Sequence, residues 1–330
     1  MTESRHYTRS IAIFAAREDA AEIMESITAC RLSSAHEQCD AICDVLVNGN
    51  RLLADDLLKI LPSAQIEASP FLIRLWYIDI PDKAHTWNVY FEHIWPEVDI
   101  SFFVDGYVQP WKVSFLHLSE ALKDSPEAVA SSAIPTAGIF ANKQSRFQIR
   151  IRGINGNLFA LNKDVISRLR ESGFRLPRGL YRTDPLIQMA LKFDFKPSEQ
   201  PHNHNRVVVV ESASYERGVL SLFKWADLKK QFNRYLRQRQ GDIESMALRR
   251  LFSTPGFKVT DLRETVRELL LDWAESSKYE WRMVVLRNPL RLLALRRISS
   301  KQDMTVATEQ PELAATVAQL LRDIQESRRD

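Results

Sequence analysis

Four apolar runs, each closing on a polar cluster, are interleaved with stretches of helical periodicity over the first hundred residues. Ser10–Phe14 (SIAIF) leads into the helical pattern AAREDAAEIMESITA. A second run closes with Asp44–Val47 ahead of Asn48-Gly49-Asn50, a turn signal, and Leu52–Leu61 pairs its apolar positions as a helix does. Ile73–Ile80 (IRLWYIDI) reads as a strand broken by Pro81-Asp82, Ala84–Trp95 as a helix, and Ile100–Val104 (ISFFV) as a buried strand ending at Asp105. Strands alternating with helices over short connections build a parallel sheet covered on both faces. In such sheets ligands bind beyond the carboxyl ends of the strands. Each polar cluster falls at such an end: Ala15–Glu18, Asn48–Asn50, Asp82–Lys83 and Asp105–Tyr107.

The rest of the chain is less regular. Phe147–Arg152 (FQIRIR) alternates and Asn157–Leu161 follows a Gly-Ile-Asn-Gly turn, so both are expected to be strands, as is Arg206–Glu211. Lys163–Ser172 reads as a helix. Amphipathic helices are predicted from Val219 to about Gln240, then over Ile243–Leu251, Thr260–Ser276 and Met283–Ile298, with a capped helix at Pro311–Ser327. The expected organisation is a mixed α/β unit over residues 1–215 and a helical region over 216–330.

Composition removes several classes. Forty-five basic against 42 acidic residues leave a formal charge of +3, too weak a field for bulk nucleic-acid binding. With only 10 glycines, neither GxGxxG nor GxxxxGK[ST] occurs. Cys30, Cys39 and Cys43 are odd in number and fit neither a disulfide framework nor a zinc spacing, which points to reduced thiols. The N-terminus MTESRHYTRS has no apolar core of a signal peptide, and no run of about 18 apolar residues spans a bilayer. A cytoplasmic protein is expected.

Four segments, in order, resemble glycosyltransferase family 2, whose members have the GT-A fold. IAIFAARED is similar to the family's opening strand and turn, with Phe14 where proline is usual and Arg17 where asparagine is usual. VLVNGN is similar to its second strand end, with Asn48 in place of an aspartate. Residues 81–88 (PDKAHTWN) resemble the helix start that precedes the metal-motif strand, and FFVDGYVQP resembles that motif with Asp105 at its first aspartate and Tyr107 at its second. Three matches lie downstream. RGINGNLFAL (Arg152–Leu161) resembles the acceptor-side segment. LPRGLYRTDPLIQMAL resembles the helix start that carries the general base, which falls on Asp184. LKKQFNRYLRQRQG (Leu228–Gly241) is similar to the family's basic stretch, with Arg234, Arg237 and Arg239.

The resemblance implies an inverting transferase that uses a nucleotide-diphospho-sugar, a UDP-sugar for preference, and an acceptor hydroxyl on a glycan, lipid or small molecule. Asp184 would be the base; Ala15, Ala16, Arg17, Glu18 and Asn48 would hold the nucleoside. Lys83, Asp105, Gly106, Tyr107, Arg237 and Arg239 would face the ribose and diphosphate. A divalent cation, Mg2+ or Mn2+, is implied on Asp105. With Tyr107 at the second position three outcomes stand: Asp105 alone holds a metal, basic side chains replace it, or the site is silent and the protein a binding scaffold.

Plainer readings compete. Glu18 complements a helix N-terminus, Lys83 is a solvated lysine, and Asp184 before Pro185 caps a helix. His202-Asn203-His204-Asn205 reads as an exposed turn, and Trp76, Trp87, Trp95 and Trp111 as core. Leu286–Ile298 is basic and amphipathic, compatible with packing on the core or with an anionic inner-membrane face.

Overall fold

The computed structural model describes residues 7–61, 70–136, 141–217, 225–286, 290, 291, 293, 295 and 311–316. Its first half follows the alternation. Strand β1 (Arg9–Ala15) is buried along its whole length, as is β2 (Ala41–Asn48), and both lie between neighbours. A central parallel strand is covered on both faces, which is why its sequence is an apolar run rather than an alternation. Between them α1 (Ala20–Glu37) starts at a capping box in which Asp19 accepts from the Glu22 amide and Glu22 answers at the Asp19 amide. Helix α2 (Arg51–Ile60) is capped by Asn50, β3 is Phe71–Ile78, and α3 (Lys83–Val89) is capped by Asp82. A π-helical turn, Tyr90–Ile94, prolongs α3 before β4 (Ile100–Asp105).

The remaining elements are β5 (Val108–Pro110), α4 (Ser114–Asp124), β6 (Ala130–Pro135), α5 (Ala141–Ile151), β7 (Leu158–Asn162), α6 (Lys163–Glu171) and α7 (Thr183–Lys192). Then follow β8 (Val207–Arg217), α8 (Trp225–Phe252), α9 (Val266–Ser276), α10 (Lys278–Leu286) and β9 (Glu312–Thr316). All nine strands form one sheet of order β5-β8-β6-β7-β4-β1-β2-β3-β9. Strands β3, β2, β1 and β4 are parallel, so their carboxyl ends share one edge; β7 runs against β4, and β9 against β3. Successive residues face opposite cores. Ile11 and Ile13 enter the one that includes α1, α2 and α4, while Ala12 and Phe14 enter the other, with α3, α6, α7, α8 and α9.

Several expectations are corrected. Phe147–Ile151 belongs to α5 and Arg152 to the turn after it, not to a strand. The helix leaves Phe147 about half exposed and buries Gln148, which donates to Ser132 Oγ (2.9 Å) and the Ala133 carbonyl (3.0 Å), so its inward face is polar and the alternation of FQIRIR misleads. Residues 312–316 form an edge strand rather than the start of a helix, because the open edge of β3 supplies backbone partners that override local propensity. No helix break occurs near Gln240. Helix α8 runs straight through Gly241, whose missing Cβ lets Arg182 and Tyr181 approach: a Cβ there would lie 3.1 Å from both. Trp111 is 48% exposed and does not pack in the core. The three cysteines are free thiols. Most of the basic segment Leu286–Ile298, the Arg234 side chain and residues 317–327 lie outside the described residues. Among those described, no helix is long and apolar enough to cross a membrane.

Candidate active site

The carboxyl edge of β1, β2, β3 and β4 gathers most of the residues singled out above. After β1 the chain turns sharply because the Glu18 carboxylate accepts from the backbone amides of Ala16 and Arg17, each at 2.8 Å. Ala15 is buried at the strand end and Arg17 is exposed. Asn50 donates to the Ala16 carbonyl (3.0 Å) while capping α2, which ties the first strand end to the second. Asn48 is 4% exposed at the end of β2. The following Gly49 takes φ +61° against Pro81, whose Cβ would sit 2.2 Å from any Cβ at that position. The turn can therefore carry only glycine, and it seats Pro81 at the foot of α3.

Lys83 and Asp105 form an ion pair across the ends of α3 and β4. The Lys83 ammonium also lies 5.5 Å above the ring of Phe14, which stacks on Trp87 at 4.5 Å. Phe14 thus belongs to the aromatic floor of the site, with Phe103 and Phe159 also stacked on Trp87. The second Asp105 oxygen accepts from the Tyr107 hydroxyl at 3.1 Å, and the same hydroxyl lies 3.1 Å from Asn157 Oδ1. Asn157 is itself held by Tyr215 (2.9 Å) and by the Asn155 side chain. Gly106 donates its amide to the Phe14 carbonyl (2.9 Å) in a space where a Cβ would meet Ile23 at 2.6 Å.

Asp184, in the first turn of α7, reaches the same place from the opposite side. It rests on Gly156, where a Cβ would lie 3.1 to 3.2 Å from its side chain. The Asp105 amide donates to the Asn157 carbonyl (3.1 Å), so the turn Asn155-Gly156-Asn157 stands between the two acids. Asp184 retains some contact with solvent, yet the protein around it desolvates the carboxylate and raises its pKa. Lys83 and Arg182 oppose that rise, and Asp105 adds to it. The four groups therefore feel one another.

A loop held from three sides delivers Asp184. Asp82 caps α3 with one oxygen, accepting from His85 N at 2.7 Å, and takes the Gly179 amide with the other at 2.6 Å. Glu244 on α8 accepts from the Tyr181 amide (3.0 Å) and from Gln240 (2.7 Å), and Gln240 also reaches the Gly179 carbonyl (3.3 Å). Arg178 pairs with the backbone at the start of α9 through Glu264 and Val266. Burial raises the Asp82 carboxyl and pushes Glu244 up to about 7, although the amides it accepts pull the other way. Sequence reading missed Glu244. Its signal is an acid on the stripe Gly241, Glu244, Leu248, which is buried at every position.

Of the two arginines expected at the diphosphate, Arg239 is engaged within its own helix. It donates to Tyr235 Oη (2.8 Å) and Asp242 (3.1 Å) and stacks over the Tyr235 ring. Arg237 is half-buried one turn before Gly241, on the face turned to the Asp184 loop. Among the described residues no group of three or more His, Cys, Asp or Glu could hold a metal ion.

A sheet of this order, with acids at its carboxyl edge and one reversed strand beside β4, has the GT-A fold of nucleotide-sugar transferases. No family model matches the chain, and no curated protein matches it. Among solved structures it is similar to the mannosyltransferase PcManGT from Pyrobaculum calidifontis in complex with GDP-Man and Mn2+, with a TM-score of 0.53 at 13% identity over 98% of this chain and 81% of that one. A second is S. aureus TarS 1-349 in complex with UDP-GlcNAc, with a TM-score of 0.48 at 12% identity over 88% of this chain and 80% of that one.

Proposed function

We propose that this protein is a glycosyltransferase that moves a sugar from a nucleotide-diphospho-sugar to an acceptor hydroxyl with inversion. The observation that carries the reading is the apposition of Asp184 and the Lys83–Asp105 pair across the Asn155-Gly156-Asn157 turn, at the ligand-binding edge of a GT-A sheet. The nucleoside would lie over the turns at Ala15–Glu18 and Asn48, the ribose by Asp105 and Gly106, and the diphosphate by Lys83 and Arg237. In the reaction the acceptor oxygen attacks the anomeric carbon as its proton passes to the Asp184 carboxylate. The bond from that carbon to the β-phosphate oxygen breaks, and its electron pair leaves on the nucleoside diphosphate. An acid whose pKa stands above the ordinary carboxylate range is the stronger base for that proton. Positive charge at Lys83 offsets what develops on the leaving group.

The test is a thermal-shift screen of the purified protein against UDP, GDP, dTDP and CDP, followed by release of the nucleoside diphosphate from the matching sugar donors. A ligand that binds the native state raises the unfolding midpoint by linkage. Binding followed by turnover that Asp184→Asn lowers by roughly a hundredfold or more is the expected result. Binding without transfer or donor hydrolysis would favour a silent scaffold, and no binding at all would sink the reading.

A further inference from the structure

We infer that the Lys83 ammonium takes the place of a divalent cation at the diphosphate, so that this site binds nucleoside diphosphates without metal. The inference rests on the reading of the site as a nucleotide-sugar site. The PcManGT structure contains Mn2+ with its GDP-Man, and a hard dication of that kind needs several oxygen ligands, usually with at least one carboxylate free to bind it. The donor set here does not fit one. One Asp105 oxygen is engaged by Lys83 and the other by the Tyr107 hydroxyl. Tyr107 is no loose substitute. Its hydroxyl also meets Asn157, and Asn157 is anchored on Tyr215, so a neutral, buttressed group fills the place where a second acid would complete a metal motif.

Asp184, the other nearby acid, is seated against Gly156, with the turn Asn155-Gly156-Asn157 between it and Asp105. A metal arriving on Asp105 would have to break the Lys83 ion pair and leave an ammonium beside a dication. The aromatic face of Phe14 beneath the ammonium favours the monovalent arrangement, since the ring quadrupole holds Lys83 in place. A donor diphosphate entering the site would instead meet a cation already held in position.

The test is calorimetric titration of the full chain with UDP and with GDP, first in excess EDTA and then in Mn2+, on wild type, Lys83→Met and Tyr107→Asp. The expected result is binding of at least one nucleotide, with an affinity that differs by less than about threefold between EDTA and Mn2+. Lys83→Met, checked by circular dichroism to be folded at the titration temperature, should lose on the order of tenfold or more in both media. Tyr107→Asp supplies the missing carboxylate and should bind more tightly in Mn2+ than in EDTA. Wild-type binding that appears only with Mn2+ would overturn the inference while leaving the transferase reading intact. Metal-independent binding that Lys83→Met does not weaken would also overturn it. Absence of binding in both media would overturn inference and reading together.

Discussion

Replacing Glu244 with glutamine should flatten a pH dependence built into the fold. Glu244 is 1% exposed, and burial is the largest cause of its rise from 4.5 to about 7, which three donors only partly oppose. An acid whose folded pKa exceeds its unfolded pKa binds the proton more tightly when folded. Its contribution is therefore fully present below the unfolded value and is lost as pH climbs from about 4.5 through about 7. At 1.36 kcal/mol for each tenfold change in proton affinity, that window corresponds to about 3 kcal/mol. The assay is urea unfolding of wild type and Glu244→Gln at intervals from about pH 4.5 to about pH 8, taking the difference between the two at each pH. Asp82 and Asp184 also titrate in the wild type with raised values, and the subtraction removes most of their effect. The wild type should lose about 3 kcal/mol relative to the variant across the range. Parallel curves would refute the assignment of Glu244 as a desolvated acid behind the Asp184 loop.

Asp184→Asn should lower kcat by roughly a hundredfold to ten-thousandfold with nucleotide affinity retained; transfer and titration calorimetry separate the two. Its unfolding midpoint at neutral pH should not fall, because a carboxylate disfavoured by burial has been removed. Gly156→Ala places a methyl group 3.1 to 3.2 Å from Asp184, so activity should drop far more than stability, measured by steady-state transfer and thermal unfolding. At Gly49 alanine would meet the Pro81 backbone at 2.5 Å with φ +61°, and the loss should be on the order of 3 kcal/mol or more by denaturant titration.

The α/β class and the gathering of polar residues at the carboxyl edge of the sheet were legible because central parallel strands must be apolar throughout and their polar termini have nowhere else to point. Asn48, Lys83, Asp105 and Tyr107 were found that way. What escaped was tertiary in origin. Alternation in FQIRIR signalled a strand, but the helix there turns Gln148 inward to serve the Ser132 hydroxyl, a polar contact that no periodicity of apolar residues records. The strand at Glu312–Thr316 exists because β3 has an open edge, which is a property of the assembled sheet. Arg239 matched a basic pattern, yet a tyrosine four residues earlier on the same helix engages it. The helix expected to end near Gln240 continues through Gly241, which is a point of close approach.

The Asp184 loop is gripped on one side by the start of α3 and on the other by α8, more than fifty residues downstream. On the proposed reading, exchanging the helical half for that of another protein of this fold would alter the backing of Asp184 and remove Arg237, while leaving Lys83, Asp105 and the turns at Ala15–Glu18 and Asn48 in place. If Asp184 is the base proposed above, such chimaeras should still capture nucleotide and yet turn over poorly, since Asp184 would have lost its rear support. Engineering of the acceptor side should therefore treat residues 178–184 and 240–244 as one transplantable unit.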